Sequence, residues 1–120
     1  MTIRCVIVDD SERFRASARK LLSTQGIAVV ATASDSRQAL RAIEEQEPDV
    51  VLVDVGLGAE SGFDLAVRIR HGAVIMVSSL APDDLAELLA GSPAIGYLPK
   101  DQLSGDAITD LLQRMPLRER

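Results

Sequence analysis

The sequence predicts an α/β domain: five parallel strands in one doubly wound sheet, with helices on both faces. Three observations predict it. Apolar runs of strand length recur five times; they lack the polar alternation of half-exposed strands; and each is followed by a segment with helical periodicity. Strict β–α alternation calls for parallel strands joined by crossover helices.

The strands are expected at 3–8 (IRCVIV), 27–33 (IAVVATA), 49–53 (DVVLV), 73–78 (AVIMVS) and 94–98 (AIGYL). The first helix follows Ser11, puts Phe14, Ala18, Leu21 and Leu22 on one face, and ends before Gly26. The second runs from about Ser36 to Glu45, with Asp35 as its cap, Ala39, Leu40 and Ile43 inward, and Pro48 just beyond. The third follows Ser61 and Gly62 and carries Leu65, Val67 and Ile69 to about Arg70. The fourth opens at Pro82 and continues to Gly91. The last spans about Ser104 to Met115, capped by Asp101 or Ser104, with Ala107, Ile108, Leu111 and Leu112 inward.

At 120 residues and 47% apolar, the chain has the size of one domain and enough apolar content for a core without disulfides. A single domain over 1–120 is expected, with no effector region in this chain. Phe14, Phe63 and Tyr97 are its only phenylalanine and tyrosine residues, and it has no tryptophan, so the core must be aliphatic. A net charge of −5 argues against nucleic-acid binding and against anionic membranes. Cys5, the one cysteine, excludes an internal disulfide and a thiolate cluster, and its apolar neighbours make it a buried, inert thiol. No signal peptide and no run of membrane-spanning length is present, so a cytoplasmic location is expected.

In an open parallel sheet, ligands bind beyond the carboxyl ends of the strands. Asp9 and Asp10 follow the first strand, Asp54 the third, Ser78 and Ser79 end the fourth, and the fifth runs through Pro99 into Lys100. Two carboxylates about 4 Å apart repel by roughly 4 kcal/mol at an effective dielectric near 20. Three on one edge therefore call for a cation. Oxygen ligands of this kind suit Mg²⁺, which holds few carboxylates, keeps waters and shares phosphate oxygens. Lys100 offers a point charge and Ser78 a hydrogen bond to a phosphoryl group, leaving Asp54 as a carboxylate nucleophile. Each piece alone has a plainer reading: an acidic pair at a helix start, a turn aspartate, a solvated lysine, a strand-ending serine. Their joint arrival at four strand ends is what carries the reading.

The order VIVDD, VVLVDV, VIMVSS, GYLPK resembles the receiver domain of two-component response regulators over essentially the whole chain. The resemblance implies a flavodoxin-like sheet of strand order 2-1-3-4-5. It makes Asp54 the phosphoacceptor, Asp10 a direct Mg²⁺ ligand beside Asp54 and the Gly56 carbonyl, and Asp9 a ligand through water. It makes Lys100 and Ser78 the phosphoryl-binding groups, and Ser78 and Tyr97 the switch pair. It further implies a histidine kinase as phosphodonor, and a downstream protein partner or an effector domain elsewhere. The output face would be formed by the fourth helix, fifth strand and fifth helix, with Leu85, Leu88, Leu89 and Tyr97 on it, and phosphorylation-dependent homodimers are one use of such a face. The expected role is regulatory rather than enzymatic, limited to self-phosphorylation and self-dephosphorylation, with transcription regulation among the outputs.

Three positions depart from the family pattern. Gly58 stands where a proline is usual, the stretch between Asp54 and Ser78 is short, and proline precedes Lys100 instead of following it, so no cis bond is expected. Gly56 and Gly58 are expected to loosen the loop after Asp54. Two other readings compete: a degenerate receiver acting as a phosphorylation-independent interaction module, and a Mg²⁺-dependent phosphatase. The latter generally needs a second aspartate two residues after the nucleophile, where this chain has Gly56. His71 is expected to be exposed, and the acidic groups Asp83, Asp84, Glu87, Glu44, Glu45 and Glu47 to be solvated.

Overall fold

Runs of β-branched residues form the central strands because such side chains pack well on a pleated surface buried on both sides. The computed structural model describes residues 2–114. Its main strands are β1 (Ile3–Val8), β2 (Ile27–Ala33), β3 (Val50–Asp54), β4 (Ala73–Ser78) and β5 (Gly96–Pro99). They pair in parallel in the spatial order β2-β1-β3-β4-β5. This is the doubly wound sheet expected, with β3 shifted one residue so that Asp54 is its last member.

Alternation along each strand divides the core into two layers. Cys5 and Ile7 of β1 face α1 (Glu12–Thr24) and α5 (Gly105–Gln113), meeting Leu22 and Ile108. Val6 and Val8 face α2 (Ser36–Gln46) and α3 (Gly62–Ala66), meeting Ile43 and Leu65. The large members of both layers are almost fully buried, each adding about 1.5–3 kcal/mol by leaving water. The Cys5 thiol lies in this core, and burial pushes its pKa up to about 12, which keeps it inert.

The helix starts follow their caps. Ser11, Asp35 and Ser104 each accept the backbone N–H three residues on, opening α1, α2 and α5. Ser104 is thus the α5 cap, whereas Asp101 lies in a separate 3₁₀ turn, Lys100–Gln102. The expected Met115 end of α5 lies outside the described residues.

Three expectations are corrected. The helix α3 stops at Ala66, and Val67 is 67% exposed instead of facing inward. The fourth helix divides into a 3₁₀ turn, Pro82–Leu85, and a short α4, Ala86–Ala90. Leu85 is buried at 4% and so drops out of any outer face, whereas Leu88 is 56% exposed and Leu89 and Tyr97 are half-buried. No cis peptide bond occurs among the described residues.

Candidate functional site

The site forms where β1, β3, β4 and β5 end, because each apolar run stops there on a polar residue. Asp9 continues β1 by donating its N–H to the Ala33 carbonyl at 3.0 Å, which fixes its carboxylate inside the edge of the sheet. That side chain is fully buried. Its Oδ1 accepts the Ser11 N–H at 2.8 Å, and its Oδ2 meets the Lys100 ammonium at 2.8 Å. Asp10, next in the chain, is exposed. Asp54 is buried at the end of β3, with its Oδ2 at 3.6 Å from Lys100 Nζ.

Asp9, Asp10 and Asp54 each bring a carboxylate oxygen within 4.8 Å of the others. Burial first and then the Asp9 charge push the Asp54 carboxyl up to about 6 from an ordinary 3.8; Asp10 adds to this. The Lys100 charge and the Gly56 N–H act in the opposite sense. Burial alone would lower the Lys100 pKa, but the hydrogen bond to Asp9 and the charges of Asp54 and Asp9 outweigh it, so Lys100 is held above its ordinary value. A cluster with surplus negative charge, hard oxygen donors and one exposed carboxylate fits a small divalent cation.

The loop after Asp54 folds back as a short hairpin. Gly56–Leu57 pairs antiparallel with Glu60–Ser61 in a two-residue hairpin, with Gly58 at φ +66°. Glycine first in such a loop meets the backbone demand at little steric cost. The Glu60 carboxylate accepts the Ser36 N–H at 2.9 Å, tying the hairpin to the start of α2. Gly62 then returns the chain across the site, donating to the Val55 carbonyl at 2.8 Å. A Cβ at this glycine would sit 1.9 Å from the Asp54 carbonyl oxygen, so nothing larger fits.

Ser78 and Tyr97 converge on Leu80. The Leu80 N–H donates to Ser78 Oγ at 3.0 Å, and the Tyr97 hydroxyl donates to the Leu80 carbonyl and approaches the Ser78 carbonyl at 3.3 Å. Both expected switch residues thus hold one residue of the loop after β4, Ser78 at its N–H and Tyr97 at its carbonyl. The structure therefore gathers Asp9, Asp10, Asp54, Gly56 and Lys100 at one edge. Ser78 ends the adjacent strand, and Tyr97 lies beside it.

Sequence reasoning missed three contributors. Glu60 reads as a loop charge until the hairpin places it on α2. Phe14 reads as a core position, yet its ring centroid lies 4.4 Å from Lys100 Nζ. Gly62 carried a usable signal: a glycine opening a helix is conformationally costly unless the backbone must pass something closely.

The family described as the response regulator receiver domain matches residues 5–113. Response regulator MprA of Mycolicibacterium vanbaalenii is 35% identical over 119 residues, covering 96% of this chain and 49% of that protein. The protein-glutamate methylesterase/protein-glutamine glutaminase of Natronomonas pharaonis is 38% identical over 88 residues, covering 72% of this chain and 25% of that protein. The chain thus spans about half, or less, of these relatives. Among solved structures, a LuxR-family two-component response regulator from Aurantimonas sp. SI85-9A1 superposes with a TM-score of 0.83 at 28% identity, covering 94% of this chain and 86% of that one. The chain belongs to the response regulator receiver domain family.

Proposed function

We propose that this receiver accepts a phosphoryl group on Asp54 from the phosphohistidine of a histidine kinase, and that the modification resets the loop after β4. The observation that carries the reading is the placement of Asp54 Oδ2 at 3.6 Å from Lys100 Nζ, inside a three-carboxylate cluster at the strand ends. In the transfer an Asp54 carboxylate oxygen attacks phosphorus, the P–N bond breaks, and the histidine ring leaves with its bonding pair. Mg²⁺ would be held by Asp10, Asp54 and the Gly56 carbonyl, with Asp9 acting through water, and would neutralise charge on the phosphoryl oxygens. Asp9 suits the indirect role because Ser11 and Lys100 already engage its two oxygens. Lys100 lies near enough to Asp54 to meet one phosphoryl oxygen.

Ser78 is the second phosphoryl partner. Turning its hydroxyl toward Asp54 releases the Leu80 N–H, and the same residue holds the Tyr97 hydroxyl through its carbonyl. A charge change at Asp54 thereby reaches Tyr97 and the face that also carries the exposed Leu88, biasing a two-state loop. A downstream protein, an effector region or a second phosphorylated copy would read that face. The role is regulatory. No described helix is long and apolar enough to cross a membrane.

Incubation with a small-molecule acyl phosphate and Mg²⁺, followed by intact-mass spectrometry, tests the acceptor. One added phosphoryl group, absent without Mg²⁺ and in Asp54→Asn, is expected. An unmodified wild-type chain would favour the phosphorylation-independent module instead.

A further inference from the structure

Four contacts at the site close into a ring. Asp9 Oδ1 accepts the Ser11 N–H at 2.8 Å, and Ser11 Oγ accepts the Phe14 N–H at 3.2 Å. The Phe14 ring centroid lies 4.4 Å from Lys100 Nζ, and Nζ returns to Asp9 Oδ2 at 2.8 Å. The capping bond that starts α1 therefore also aims an aromatic face at the one ammonium of the site. A cation within about 6 Å of a ring centroid is attracted by the ring's electron-rich face. Packing alone does not ask for a ring here. Phe14 is half-buried against an otherwise aliphatic layer, where leucine would fill the space. Lysine is a point charge on a flexible stem, and without a third contact its head can swing between Asp9, Asp54 and water.

We infer that Phe14 is a positioning residue for Lys100: its ring holds the ammonium against Asp9 and thereby sets where Lys100 meets a phosphoryl oxygen on Asp54. The inference deepens the phosphoacceptor reading and rests on it for its functional half. The two halves separate experimentally. In the ligand-free wild type, the Lys100 ε-methylene resonances are expected to show an upfield ring-current shift. Phe14→Leu removes it, and Phe14→Tyr, which restores the ring, keeps it. Beryllofluoride affinity in the presence of Mg²⁺, read by NMR titration, is then expected to fall about fivefold in Phe14→Leu and to stay near wild type in Phe14→Tyr. Core amides of Leu22 and Ile108 report that each variant is folded.

Lys100 resonances unmoved by Phe14→Leu, or unchanged beryllofluoride affinity in that variant, would overturn the positioning role. So would equal losses in the Leu and Tyr variants. If the wild type binds no beryllofluoride, the phosphoacceptor reading is what fails, and the Lys100 resonances alone decide whether Phe14 holds the ammonium.

Discussion

Asp54 carries the clearest residue-scale consequence, because burial beside like charges sets its acidity. Its folded pKa of about 6 stands above the ordinary 3.8, so the folded chain keeps a proton that the unfolded chain has released. The stabilising contribution of that proton is full below about pH 4 and is lost as pH rises through about 6. Metal-free Asp54→Asn is therefore expected to be about 1–3 kcal/mol more stable than wild type at pH 7 in urea titrations. The difference should vanish near pH 4. Lys100→Met has the opposite sign, since it strands a fully buried Asp9 carboxylate, and is expected to cost about 2–4 kcal/mol by the same measurement. At this scale the sequence was most legible where a polar residue stops an apolar run, as at Asp9, Asp54 and Ser78. It was silent on Phe14 over Lys100 and Glu60 on Ser36, because those pairs form only through tertiary packing.

Among elements, the hairpin after Asp54 governs how firmly the site is held. Glu60→Ala removes one acceptor from the α2 N-terminus and is expected to cost about 1 kcal/mol, with faster hydrogen exchange at the Ser36 amide. Gly62→Ala drives a methyl into the Asp54 backbone, and its expected result is a displaced β3 end and loss of phosphoryl acceptance, checked by intact mass and amide shifts. The α3 boundary was misread for a physical reason. Leu65, Val67 and Ile69 recur every second residue, a strand-like spacing, and only Leu65 is fully buried. The hairpin after Asp54 went unread for another: Gly58 supplies the positive φ of a tight turn, which the sequence marks only as a glycine. Strands β1, β2 and β4 fell where the runs of apolar residues placed them, since nothing polar interrupts those runs.

For the whole molecule, the sheet order came from resemblance, because periodicity says which segments are strands and not which are neighbours. The finished sheet brings residues from four strand ends to one edge, where like charges oppose folding and a divalent cation would relieve them. Magnesium is therefore expected to raise the wild-type melting temperature by several degrees at pH 7 and by less at pH 5, and to leave Asp54→Asn nearly unmoved. We propose that charge at Asp54 is read out at Tyr97 through Leu80, whose N–H meets Ser78 and whose carbonyl meets Tyr97. Backbone-amide NMR during addition of beryllofluoride to the Mg²⁺-loaded protein tests it most directly. Slow-exchange shifts are expected at Asp10, Asp54, Ser78, Leu80 and Lys100, extending to Tyr97 and Leu88 and lost in Asp54→Asn. A spectrum unchanged by beryllofluoride, or shifts that stop at the strand ends and leave Leu80 and Tyr97 in place, would contradict it.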